Sequence, residues 1–216
     1  MMKLLNLEII KLKKKTRSWL GPILIFWLIM IAYPLTVELS KENIEVGFFS
    51  VLWISILLSM MFATEDIFTE DYNDGSLEQT LINEASFAYY VGVKVLIHWL
   101  LIGIPVSILS FIFSLGTTED LFLSLLILPF SIMSSYIFLN LFILGNALSL
   151  NKGSALGAII TLPLALPILI VLGKSIVAIQ LEINYLGFMF LLLGSLSIII
   201  VTVPIVVSFI IKAHLE

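Results

Sequence analysis

Long uncharged runs, separated by short charged segments, dominate the chain. Six of these runs are at least nineteen residues long: 18–37, 46–64, 95–118, 121–151, 153–173 and 183–211. About 20 apolar residues are enough to cross the hydrocarbon core of a bilayer as a helix. The pattern therefore predicts six transmembrane helices. The shorter run 175–181 is predicted to be a loop or a re-entrant tip.

The spans are predicted to be helices because lipid offers no partners to backbone N–H and C=O groups. The runs are continuously apolar rather than alternating, which disfavours a transmembrane barrel. Composition agrees, since 60% of the residues are hydrophobic and 12% are charged, about half the charged share of an ordinary soluble domain. We expect an all-α integral membrane protein, with residues 1–216 forming one transmembrane permease domain.

The basic residues predict the orientation. If the N-terminus is cytoplasmic, nine of the 11 Lys and Arg residues lie on the cytoplasmic side, and only Lys41 and Lys174 lie outside. This bias is the one that sets membrane topology. We expect both termini to be cytoplasmic and the first span to be an uncleaved helix rather than a signal peptide.

Residues 1–17 form a separate basic element. Leu5, Ile9 and Leu12 lie on one helical face, and lysines occupy the other faces. Such a segment is typical of an amphipathic helix in the cytoplasmic interface. The alternative is that the lysines only set the topology.

Residues 65–90 form the one long hydrophilic loop, and they carry seven acids: Glu65, Asp66, Glu70, Asp71, Asp74, Glu78 and Glu84. Asn73-Asp74-Gly75 predicts a turn. Ser76 and Gln79 have the spacing of a capping box, which predicts that a short helix starts at Ser76. Glu78 in its first turn would favour the helix dipole.

Leu77 and Leu81 would share one face of this short helix. An apolar stripe on a loop favours a docking surface for a cytosolic protein. The alternative is a solvated loop that packs against its own helix bundle.

No catalytic constellation is visible, and an enzyme is not expected. Gly173-Lys174-Ser175 lacks the first glycine of a phosphate loop, because Ile168 stands at its position. The chain has no cysteine, so thiolate metal sites and disulfides are excluded. The spans contain almost no charge, which disfavours a proton-coupled transporter. An energy source outside the bilayer is indicated.

Several other residues allow two interpretations. His98 could be a haem ligand, although pairing with neighbouring polar groups is the more common role of such a residue. Pro163 and Pro167 predict a bend or a broken helix in the fifth span. Gly153 and Gly157 form a small-residue contact motif, more often used within one chain than between chains. The four tryptophans are expected mainly at the membrane interface or against lipid: Trp19, Trp27, Trp53 and Trp99.

Two motifs resemble one family over essentially the whole chain. The hexapeptide D-G-S-L-E-Q at Asp74–Gln79, followed by K-V-x-x-H-W at Lys94, Val95, His98 and Trp99, is similar to the cytochrome c maturation permease family, CcmB. The resemblance implies a type-2 ABC transporter permease that works as a homodimer in a bacterial inner membrane, or alternatively a mitochondrial one.

The resemblance also implies partners and site residues. The partners would be a CcmA-like cytosolic ATPase that binds ATP, CcmC- and CcmD-like membrane proteins, a CcmE-like haem chaperone and membrane lipid, with no nucleic acid. Haem would be transported or handled, with no resident cofactor or metal. The ATPase-coupling residues would be Asp74, Gly75, Ser76, Leu77, Glu78, Gln79 and Leu81, and the third-span motif would be Lys94, His98 and Trp99.

Two other functions are compatible with the membrane pattern. One is an ABC exporter permease for lipid, polysaccharide or drug. The other is a membrane scaffold that exports nothing and uses ATP hydrolysis on a partner to release the haem-loaded chaperone.

Overall fold

The computed structural model describes residues 15–36, 41–65, 67–83, 86–150 and 154–215, and within them it is helical, with no strand. The predicted interfacial helix at 1–17 lies outside these residues except for its last three positions. The helices are α1 Thr16–Thr36, α2 Lys41–Ala63, α3 Thr69–Asn73, α4 Ser76–Asn83, α5 Phe87–His98, α6 Ile104–Thr118, α7 Leu121–Leu148, α8 Ser154–Gln180 and α9 Leu186–Leu215, with a π-helical segment Trp99–Gly103 between α5 and α6.

Five helical stretches are long and apolar enough to cross a membrane: Ser18–Thr36, Phe87–Thr118, Leu121–Leu148, Leu156–Gln180 and Leu186–Leu215. The second predicted span coincides with a shorter apolar stretch, Gly47–Ala63, within the 23-residue α2. The chain is therefore an all-α, multi-pass membrane protein, as the hydropathy pattern predicts.

Helix α7 lies at the centre of the bundle. It packs against α2, α6, α8 and α9, and Ile127, Phe130 and Phe138 are completely buried. A helix that is apolar on every side is stable only when neighbours or lipid cover all of its faces. Its buried serines, including Ser124, Ser131 and Ser135, are small enough to let the neighbouring helices approach closely.

Helices α7 and α8 contact each other backbone to backbone at two glycines. A Cβ atom on Gly145 would lie 2.4 Å from the carbonyl oxygen of Gly157, and a Cβ atom on Gly157 would lie equally close to the carbonyl oxygen of Gly145. The prediction that Gly157 packs within the chain is confirmed. Its partner is Gly145, and Gly153 lies outside the described residues.

One prediction about the end of the fifth span is wrong. Residues 175–180 continue α8 instead of forming a loop, and Ser175 and Ile176 are buried in the bundle. Lys174 interrupts the apolar run but not the helix, because its side chain is exposed and its long stem can reach toward the interface. The helix is continuous through Pro163 and Pro167, so the broken helix is excluded, while the bend stays a prediction.

The tryptophans are only partly as predicted. Trp27 is 48% exposed, as expected of a lipid-facing residue, but Trp53 is 2% exposed and belongs to the core. Trp99 is half-buried, and its indole N–H donates to the Ser135 hydroxyl of α7 at 3.1 Å. Its polar group therefore finds its partner inside the bundle rather than at the interface.

Candidate functional site

The loop between the second and third spans folds as two short helices at one end of the bundle. The predicted turn separates α3 from α4, and Gly75 in it has φ +73°, a left-handed conformation that glycine adopts without strain. Helix α4 begins at Ser76, as predicted, and Glu78 lies in its first turn.

The start of α4 is not stabilised by the predicted capping box. The Ser76 hydroxyl donates to the carbonyl oxygen of Asp71 at 3.3 Å, while the amide of Ser76 donates to Asp74 Oδ1 at 2.9 Å. The tight turn brings the Asp74 carboxylate to the first amide of α4, so Asp74 takes the role that the spacing assigned to Ser76.

The predicted apolar stripe of α4 faces inward. Leu77 is completely buried, and Leu81 is partly buried against the core. The packing alternative is therefore the correct one for these two leucines. Between Asp74 and Ile82, the exposed residues are Asp74, Glu78, Gln79 and Ile82, of which Ile82 is 82% exposed. We call these four residues the outer face.

Asp71 of α3 forms a buried ion pair with Lys94 of α5. Asp71 is 5% exposed and Lys94 is 4% exposed. The Tyr90 hydroxyl donates to the same carboxylate oxygen, Oδ2, at 3.0 Å, and the Lys94 ammonium donates to the Tyr90 hydroxyl at 3.3 Å. Burying a charge costs several kcal/mol, and the attraction between the two groups offsets part of that cost.

Two aromatic rings enclose the Lys94 ammonium. Its Nζ lies 5.6 Å from the ring centres of both Phe68 and Tyr90, within the range of a cation–π contact. Phe68, completely buried, precedes α3 and so brings a second side chain of the loop to Lys94. The site thus joins the loop to the third span by the charge pair, the Tyr90 hydroxyl and the Phe68 ring.

Sequence reasoning missed Asp71 and Tyr90. It counted Asp71 among the seven acids of the hydrophilic loop, and it described the spans as almost free of charge. One signal was present, because Lys94 stands between Val93 and Val95 in an apolar stretch, and a lysine so placed needs a partner. Tyr90, one helical turn earlier, is on the same face of α5.

The third-span motif extends from this ion pair toward the centre of the bundle. His98 is 6% exposed, and its Nδ1 lies 2.9 Å from the carbonyl oxygen of Lys94. The prediction that His98 pairs with a neighbouring polar group is therefore supported. The imidazole ring is buried in this conformation, and a role as haem ligand stays a prediction.

The π-helical segment follows directly, with Trp99 as its first residue. The amide of Ile104 donates to the carbonyl oxygen of Trp99, five residues back, which is the hydrogen bond of a π turn. The Trp99 ring lies against Gly103, where a Cβ atom would be 2.3 Å from the ring. Ser135 of α7 accepts from Trp99 and lies 3.4 Å from the Ser107 hydroxyl. Single π turns are frequent at functional sites.

A second contact joins the loop to the central helix. The Asn146 side-chain amide of α7 donates to the carbonyl oxygen of Glu65 at 2.8 Å. Both residues line a cavity of about 170 Å³ between α2, α7 and α8. The first residues of the loop are thus held on α7, while Asp71 is held on α5.

Comparison with known proteins places the chain among membrane proteins of one kind. Residues 1–216 match the family model described as CcmB protein. Heme exporter protein B of Haemophilus influenzae is 28% identical over 203 residues, which cover 91% of each chain. Heme exporter protein B of Pseudomonas aeruginosa is 28% identical over 152 residues, 69% of this chain and 68% of that protein. The Escherichia coli K12 protein of the same name is 31% identical over 90 residues, 42% of this chain and 41% of that one.

Proposed function

The chain belongs to the CcmB protein family, and from this membership we propose that it is the permease subunit of an ABC-type complex for cytochrome c biogenesis. The complex would support haem delivery, or release of the haem-loaded chaperone, and a separate ATPase subunit would supply the energy. A relative that covers 91% of the chain bears the name Heme exporter protein B, which is consistent with haem as the handled ligand.

The observation that carries the proposal is the way the outer face is supported. Ile82 is 82% exposed and lies next to the exposed Glu78 and Gln79. An exposed apolar side chain with polar neighbours suits an anchor that fills a pocket on a partner protein. Leu77 is buried on the inward side of α4 and anchors this helix to the bundle. The outer face is therefore presented on a supported helix, as docking of a cytosolic ATPase requires.

The mechanism we propose starts on this partner. ATP binding and hydrolysis would occur on a CcmA-like ATPase dimer, each copy of which contacts the outer face of one permease protomer. The loop would move with the ATPase and change the arrangement of the spans. The permease would be a homodimer in the inner membrane, with both termini cytoplasmic, and would act with CcmC- and CcmD-like proteins and a CcmE-like chaperone.

A substitution on the outer face tests the ATPase contact. In the double variant Glu78→Lys with Ile82→Asp, we expect the tagged chain to reach the membrane in normal amount but to lose co-purification of the ATPase. Ile183→Asp is the matched control, because Ile183 is also an exposed isoleucine, at 57%. It lies in the connection between α8 and α9, away from the outer face. Undiminished recovery of the ATPase with the double variant would remove the docking surface from the proposal.

Deletion of the gene tests the pathway. We expect loss of covalently bound haem c from the membranes, and retained c-type cytochromes would contradict the proposal. Assays in liposomes then distinguish export of a substrate from release of the haem-loaded chaperone. An exporter shows substrate-dependent ATPase activity with flux, whereas a release factor shows ATPase activity linked to departure of the chaperone without flux.

A further inference from the structure

We propose that Asp71, Tyr90 and Lys94 form the joint through which the loop helices move α5, and that the π-helical segment Trp99–Gly103 is the hinge that takes up this movement. The inference rests on the proposed function, because it assigns residues to the step between ATPase docking and the change in the spans. These are positioning residues, and none of them is placed in contact with ATP or haem.

Asp71 connects the outer-face helix to the third span through one residue. Its carbonyl oxygen accepts the hydroxyl hydrogen of Ser76 at the start of α4. Its carboxylate pairs with Lys94 and accepts the Tyr90 hydroxyl hydrogen. A force applied to α4 therefore reaches α5 through the backbone and the side chain of the same residue.

The ion pair makes the connection difficult to release. Asp71 and Lys94 are both more than nine-tenths buried, so separating them would leave two charges in a poorly solvated environment. Breaking a buried ion pair is strongly unfavourable. The rings of Phe68 and Tyr90 also restrict the Lys94 side chain. When α3 moves, the state in which α5 moves with it keeps the ion pair. This state has a lower free energy than the state in which α5 stays in place and the pair is broken.

Helices α5 and α6 have different neighbours. Helix α6 is linked to α7 near both ends, by the Ser107–Ser135 contact at 3.4 Å and by the Ser114–Ser124 contact at 3.1 Å. Helix α5 packs mainly against α9, where a Cβ atom on Gly92 would meet the Pro204 ring at 3.8 Å, an ordinary contact distance. Helix α6 is therefore held on the central helix, whereas α5 has no comparable hydrogen bonds to α9 among the described residues.

The hinge lies between these two helices. The π turn has one residue more than an α-turn, and Pro105, just after it, has no amide hydrogen to extend the helical hydrogen bonds. Repacking a π turn changes the rotation of one flank relative to the other by up to ~100°, the angle per helical residue. The movement of α5 can thus end at Trp99–Gly103 without pulling α6 from α7.

The joint is tested in the assembled complex of the chain with its ATPase in membranes. We compare Asp71→Asn, Lys94→Met and the exchanged pair D71K with K94D for ATPase co-purification, ATP hydrolysis and covalent haem c. We expect both single variants to keep co-purification and hydrolysis and to lose haem c by about tenfold or more, the range of a coupling free energy between sites. We expect the exchanged pair to restore part of the haem c signal.

Two controls separate coupling from folding. Ser59→Ala removes a buried hydrogen bond, 2.9 Å long, from α2 to the Pro22 carbonyl oxygen of α1. This bond involves no residue of the joint, so the variant should leave haem c unchanged. Tyr90→Phe keeps both charges and removes only one hydroxyl, so it should fold normally and reduce haem c partially. Normal haem c in Asp71→Asn and Lys94→Met would overturn the proposed joint.

The hinge is tested by site-directed labelling, since the chain contains no cysteine. Spin labels are placed in separate variants at Leu96 of α5 and at Ile108 of α6, which are 40% and 49% exposed. With a non-hydrolysable ATP analogue we expect the Leu96 label to change its mobility and the Ile108 label not to change, and the Leu96 change should disappear in Asp71→Asn. Equal changes at both positions would overturn the hinge. Failure of the ATPase to co-purify with the unmodified chain would instead contradict the proposed function.

Discussion

Lys94 of the third span is paired with Asp71 of the preceding loop, 23 residues earlier in the sequence, and both side chains are buried. A loop of this length in a permease could in principle move independently of the helices that it connects. Here a charge pair and the Tyr90 hydroxyl fasten its middle to α5, while Asn146 of α7 holds its first residues. The middle of the loop is therefore tied to α5, while its first residues are tied to α7.

The losses of stability caused by substituting Asp71 and Lys94 should not be additive. We expect Asp71→Ala or Lys94→Met alone to lower the free energy of unfolding by about 3–5 kcal/mol, because each substitution breaks the buried ion pair. The double variant should lose less than the sum of the two single variants. The stability of each variant is measured by thermal unfolding of the purified protein in detergent, with size-exclusion chromatography to quantify the folded fraction. Additive losses would mean that the two charges act independently.

The two apolar residues of α4 should behave in opposite ways. Leu77→Ala should destabilise the protein by about 2–5 kcal/mol, because it opens a cavity under the loop. Ile82→Ala should change stability by less than about 0.5 kcal/mol, since Ile82 is 82% exposed, but it should weaken ATPase binding. Unfolding curves and co-purification of the same two variants provide the comparison. Equal destabilisation by both would show that α4 packs differently.

The crossing of α7 and α8 should not tolerate a side chain. Gly145→Ala places a Cβ atom 2.4 Å from the Gly157 carbonyl oxygen, so the two helices must separate, at a cost of about 1–3 kcal/mol. Gly194→Ala in α9 is the matched control, because nothing lies within 4 Å of its Cβ position. The amount of folded protein in membranes and its unfolding temperature are the measurements. A Gly145→Ala protein as stable as the control would contradict the backbone contact.

The π-helical segment should depend on the contact between Trp99 and Gly103. Gly103→Ala puts a Cβ atom 2.3 Å from the indole ring, so we expect lower stability and less covalent haem c. Trp99→Leu added to Gly103→Ala should recover part of the stability, because the smaller side chain leaves space for the methyl group. Gly173→Ala in α8, which has open space at the Cβ position, serves as the control. No recovery in the double variant would show that the ring is not the obstacle.

Hydropathy predicted the spans well, because crossing a bilayer demands an apolar run of a certain length wherever the helix lies in the bundle. It was wrong at residues 175–180, since a charge such as Lys174 ends an apolar run without ending a helix. The start of α4 was also predictable from local turn residues, although the capping side chain is Asp74 and not Ser76.

The candidate site was only half predictable. The family motif identified Lys94, His98 and Trp99, and the loop motif identified α4. Neither identified Asp71 as the partner of Lys94, because a pair between a loop and a span depends on how the loop folds back. The local pattern equally could not separate the buried Leu77 from the exposed Ile82, since both are apolar residues of one short amphipathic helix.

The sequence by itself determined the membrane helices, the acidic loop and the family, because these follow from the local run of residues and from short motifs. Only the tertiary structure decided which charges are paired, which glycines meet and which face of α4 is outward. Those features depend on contacts between segments distant in the chain, such as Asp71 with Lys94 and Gly145 with Gly157. Packing in the bundle selects these contacts, and no single segment carries the information for both partners.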